Sequence, residues 1–131
     1  MSTERIVIRI GSGLLLLAGL ACALAPGFFA AAAGISASAA GLTDFRAVYA
    51  GAQLALAGFL FWCDRDPSRH TAGLVALLLF CADIGIVRSL GLLVDGEIAA
   101  YQLQNLAVEV LAALAVGSVL LRGRSRLPQT A

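Results

Sequence analysis

Thr43-Asp44-Phe45-Arg46-Ala47-Val48-Tyr49-Ala50-Gly51-Ala52-Gln53 opens with charge and runs on into Leu54-Ala55-Leu56-Ala57-Gly58-Phe59-Leu60-Phe61-Trp62. The second half is apolar enough for hydrocarbon, and the first half carries a polar stripe. Arg46, Tyr49 and Gln53 stand at i, i+3 and i+7, so a regular helix places them within about 60° of one another. In hydrocarbon such a stripe needs partners, because an unsatisfied polar group there is costly. Partners are available in two other stretches, Asp83 to Asp95 and Gln102 to Glu109.

Composition agrees with a membrane setting. The chain has 131 residues, 60% of them hydrophobic and 13% charged. Its mean hydropathy is +0.93. A soluble domain is about half apolar and about one quarter charged. The net charge of +1 leaves no basic footprint for nucleic acid. Every basic residue is Arg and none is Lys, which with the abundant Ala and Gly suits a GC-rich bacterial genome. Cys22, Cys63 and Cys81 form no CxxC and read as small buried thiols. His70 stands alone in a charged loop and reads as a solvated side chain. No metal site and no cofactor is expected.

Four spans follow from the apolar runs: residues 6–25, 44–63, 71–94 and 100–121. The first could be taken for a signal peptide with Ala23-Leu24-Ala25 as its cleavage site. Pro26 after the cut and the length of the run favour an uncleaved helix. Residues 28–42 carry no charge and predict a short interfacial or re-entrant helix, with Phe28 and Phe29 as anchors. Thr43 and Asp44 suit a helix start. Ala47, Gly51 and Ala55 form a ridge of small residues that admits a neighbouring helix. Asp64 to His70 is a charged turn broken by Pro67, Asp95-Gly96-Glu97 is a tight acidic turn, and residues 122–131 form a basic tail.

The expected fold class is therefore all-α, an integral membrane four-helix bundle forming one domain. With four spans, Arg5, Arg9, Arg65, Arg69, Arg122, Arg124 and Arg126 all fall on one side, and Asp95 and Glu97 on the other. The positive-inside rule then makes both termini cytoplasmic and the acidic turn periplasmic, in a bacterial inner membrane.

Arg46, Arg88, Asp83 and Glu109 are the charges left inside the spans. At 1.5 Å per residue from the outer turns, Arg46 lies roughly 3–5 Å deep, Tyr49 and Asn105 roughly 8 Å, and Arg88 roughly 10 Å. Gln53 and Glu109 come out at roughly 14 Å and Asp83 at roughly 18 Å. Gln102, Asn105 and Glu109 repeat the spacing of Arg46, Tyr49 and Gln53. Two stripes at matching depth predict a polar pocket open to the periplasmic side, with Arg46, Tyr49, Gln53, Asp83, Arg88, Asn105 and Glu109 as candidate ligand-binding residues. Arg46 is expected to pair with Glu109, and Arg88 to be able to reach outward toward Asp95. The first span is expected to contribute packing alone.

Intramembrane ionisable residues mark function more often than not, although such charges can also serve only to hold helices together. Three functions fit. The leading one is binding of a small lipophilic ligand. The second is acid–base catalysis on a membrane-dissolved substrate (an isomerase, cyclase or epoxide-opening enzyme), with Asp83 and Glu109 as acid and base. The third is an accessory subunit of a membrane complex. Partners consistent with the sequence are bilayer lipid, the lipophilic ligand, a second copy or that complex. No GxSxG, Cys–His pair, phosphate loop or HExxH is present, which leaves hydrolase, kinase and metalloprotease readings without support.

The run Thr43 to Gly51, the run Val87-Arg88-Ser89-Leu90-Gly91-Leu92-Leu93-Val94-Asp95-Gly96, and Glu109 together resemble a family of small bacterial four-span proteins catalogued as a domain of unknown function. That pattern has an FRA-x-Y stretch, a GR-x-x-G…DG stretch and a late Glu. Val87 stands where the family usually has Gly. The resemblance covers nearly the whole chain and implies a four-span fold and a set of polar positions, without an activity.

Overall fold

A computed structural model of the chain describes residues 2–96 and 98–124. Glu97 of the acidic turn and residues 125–131 of the basic tail lie outside the described residues. The described residues are helical and contain no strand. Four helical stretches are long and apolar enough to cross a membrane: Thr3–Leu24, Ala39–Asp64, Pro67–Asp95 and Ala100–Gly123.

Helix α1 (Thr3–Leu24) is capped by the Ser2 hydroxyl, which accepts from the Arg5 backbone N–H at 3.3 Å. Pro26 ends it, since proline lacks the N–H that would continue the ladder. The same proline opens the short α2 (Pro26–Ala32), where its fixed φ suits the first helical position. Within the stretch expected to form one interfacial element, the chain instead forms α2, turns at Gly34 (φ 76°), and starts α3 (Ala39–Phe45) under a Ser38 cap. The second span therefore begins several residues earlier than its hydropathy alone indicated.

The second span is also not one regular helix. Arg46–Ala50 forms a π turn between α3 and α4 (Gly51–Asp64), and the Gly51 N–H donates to the Arg46 carbonyl five residues back. A π turn holds one extra residue and offsets the helical phase on either side of it by as much as about 100°. Helix α1 lies against this turn at Gly19. A Cβ there would stand 2.8 Å from Leu54 Cγ and 3.3 Å from the Ala50 carbonyl oxygen, so only glycine lets the two backbones approach so closely.

Asp66 starts the turn into the third span by accepting from the Ser68 backbone N–H at 2.9 Å and the Ser68 hydroxyl at 2.8 Å. These two bonds, the hydroxyl foremost, hold the Asp66 carboxyl below its ordinary range. A single 3-10 turn (Pro67–Arg69) leads into α5 (His70–Asp95), which Gly96 ends in the left-handed region (φ 68°). Helix α6 (Ala100–Arg124) completes the bundle. The tightest pairings are α1 with α4 and α5 with α6.

Ile8, Leu60, Leu74, Leu77 and Val116 form the buried core, with all four long helices contributing. They lie at the end of the bundle that holds the termini and the charged turn. Arg5 and Arg9 both reach the Asp64 carboxylate there at 3.0 Å. His70 departs from expectation: it is buried, 5% exposed, and its Nδ1 lies 3.8 Å from Glu4 Oε2. Its charged sequence neighbours conceal that it opens α5 against α1. The outer surface is apolar, with Leu17 67% and Leu93 80% exposed, as hydrocarbon contact requires.

Candidate functional site

At the far end of the bundle from the core, the helices border a half-open cleft of about 980 Å³. Tyr49 of the π turn, Asp83, Val87, Arg88 and Gly91 of α5, and Tyr101 and Gln102 at the start of α6 border it, and Ala31–Gly34 close it at the rim. A second, smaller groove of about 380 Å³ runs along the other side of the α5–α6 seam, walled by apolar side chains and by Glu109.

Between the two lies an ion pair. Arg88 Nη2 stands 2.7 Å from Glu109 Oε1, and Arg88 Nε donates to both carboxylate oxygens at 3.1 and 3.0 Å. Arg88 Nη1 donates to Gln102 Oε1 at 2.6 Å. The two charged side chains are 23% and 14% exposed, so water screens them little. Geometry on both helices allows this. Gln102 and Glu109 are seven residues apart on one face of α6, and Gly85, one turn before Ser89, leaves room beside Glu109. Ser89 turns its hydroxyl back to the Gly85 carbonyl at 2.7 Å and asks nothing of the pair.

The expected cluster is thus assembled in part. Glu109 takes Arg88 rather than Arg46 as its partner. Arg46 is exposed and donates from Nε to the Ala23 carbonyl at 3.1 Å, one of the last carbonyls of α1, which a cation suits. Helix α1 therefore contributes more than packing: it supplies that acceptor, and the Ser12 hydroxyl bonds the Ala57 carbonyl at 3.0 Å. Arg88 bonds Glu109 and Gln102 of α6, and among the described residues it makes no hydrogen bond or ion pair with Asp95. Tyr49 borders the cleft, stacked on Phe45 with ring centroids 4.3 Å apart. Gln53 borders neither space, and its buried Oε1 has no partner among the described residues. Asn105 is half-buried and borders neither space. Asp83 lines the cleft, while Glu109 lines the groove.

The stripe of Arg46, Tyr49 and Gln53 is broken by the π turn, whose five residues include Arg46 and Tyr49 but not Gln53. On α6, a regular helix, Gln102 and Glu109 do share a face and both bond Arg88, while Asn105 of the same stripe stays apart from them. The spacing of the polar stripes does not single out Tyr101, which stands at the cleft rim. Its place beside the outer turn, where aromatic residues gather at a membrane interface, was the available signal.

No curated protein and no solved structure matches the chain. The family described as "Domain of unknown function (DUF4345)" matches residues 3–120, in keeping with the resemblance carried by Thr43 to Gly51, Val87 to Gly96 and Glu109, and the chain belongs to that family.

Proposed function

We propose that this protein is a multi-pass protein of the bacterial inner membrane whose cleft opens to the periplasmic side and binds a small lipophilic ligand. The observation that carries this reading is where the intramembrane charges stand. Asp83, which pairs with nothing among the described residues, borders a half-open volume of about 980 Å³ beside Tyr49, Arg88, Tyr101 and Gln102. Apolar walls with a few placed polar groups are the usual make-up of a small-molecule site. Binding is favoured over acid–base catalysis because Asp83 and Glu109 do not face one space, and both oxygens of Glu109 accept from Arg88.

The test is to fill the cleft without disturbing the bundle. A Cβ on Gly91 would meet nothing nearer than Asp95 Oδ2 at 3.9 Å, so a side chain there grows into the cleft. Gly91→Phe is expected to melt within a few degrees of the wild type while losing lipophilic molecules that co-purify with it, as read by mass spectrometry of the detergent-purified protein. Unchanged co-purifying molecules in a folded Gly91→Phe protein would defeat the reading.

A further inference from the structure

Asp83 is an ionisable side chain inside a span, and it is exposed to the cleft it lines. Among the described residues it has neither a hydrogen bond nor an ion pair, in contrast to Glu109. Intramembrane carboxylates are otherwise found paired, because the charge alone is expensive in a medium of low dielectric. The lining offers it no cation. Among the described residues, Arg88 is the one basic side chain on the cleft wall, and its charge is taken up by Glu109. Arg46 points to the Ala23 carbonyl and does not border the cleft. The uncompensated charges on the lining are therefore Asp83 and, nearer the rim, Asp95. Tyr49 and Tyr101 add aromatic rings, whose faces attract cations. Ile84, Val87 and Leu92 supply apolar wall for a chain.

We propose that the ligand of this cleft is an amphiphile with an ammonium head group, its charge placed against Asp83 and its chain along the apolar face of α5. The same lining disfavours a phosphate, sulfate or carboxylate head, because among the described residues no free cation borders it. The inference rests on the proposed function and names the chemistry of the ligand.

The probes are decylammonium, decanol and decyl sulfate, titrated calorimetrically into protein reconstituted in phosphatidylglycerol nanodiscs, with empty discs subtracted. Decylammonium is expected to bind about tenfold or more tightly than either of the others. The preference should disappear in Asp83→Asn and return in Asp83→Glu, each shown by circular dichroism and melting to be folded. Equal affinity for the three probes would overturn the ammonium assignment and leave ligand binding in place. Saturable binding of none would remove both. A preference that survives Asp83→Asn would also overturn the assignment. Repeating the titration in phosphatidylethanolamine discs is expected to leave the affinity for decylammonium unchanged, because that lipid carries a phosphate beside its amine. Competition by that lipid would overturn the exclusion of phosphate heads.

Discussion

Arg88 donates to α6 at two places, Glu109 and Gln102, and so fixes the angle at which α5 and α6 meet beside the cleft. Removing one member of such a pair strands the other, whereas replacing both with apolar groups is often harmless. Arg88→Met is expected to lower stability by about 1–3 kcal/mol, less than for a fully buried pair because the cleft admits some solvent. Arg88→Met combined with Glu109→Leu should recover most of that loss. Thermal melting of the detergent-purified variants measures both, and a double variant no better than the single would refute the ion-pair account. The pairing was half legible in the sequence. Depths of roughly 10 and 14 Å put Arg88 and Glu109 one helical turn apart, closer than Arg46 and Glu109. Arg46 was nevertheless the expected partner, because the sequence does not show that the free carbonyl of Ala23 stands within its reach.

Four spans were readable from apolar length because a helix that crosses hydrocarbon has little freedom in composition. The π turn was not readable. Arg46–Ala50 has an ordinary helical composition, and its extra residue lies where α1 packs closely against it at Gly19, a contact the sequence does not show. Gly19→Ala is expected to push Leu54 and the Ala50 carbonyl away and to destabilise by about 1–2 kcal/mol, after allowance for alanine's better helix propensity. A melting temperature equal to or above that of the wild type would show that the contact is soft. The turn before α5 supplies a pH prediction. Asp66 has its carboxyl lowered by Ser68, so this contribution is present above the ordinary carboxylate range and is lost as pH falls through the lowered value. Wild type should melt above Ser68→Ala at pH 7, and the gap should close below about pH 4. A gap independent of pH would assign the Ser68 effect to something other than the carboxylate.

Across the whole molecule, Arg5, Arg9, Arg65, Arg69 and Arg122 gather at the end that holds the core, and Asp95 stands at the other. The arginine-bearing end is predicted to face the cytoplasm. A reporter active only in the periplasm should stay silent when fused to the C-terminus and respond when inserted after Gly96, and the reverse pattern would invert the orientation. Ile8, Leu60 and Leu74 pack at one end, and Val87, Gly91 and Ala99 face open space at the other. That separation has a consequence for descent. Under the proposed function, a mutation at Gly91 or Ala99 would change what the cleft admits while leaving Ile8, Leu60 and Leu74 in place. Natural selection could then retune recognition in small steps, each carried by a protein that still assembles.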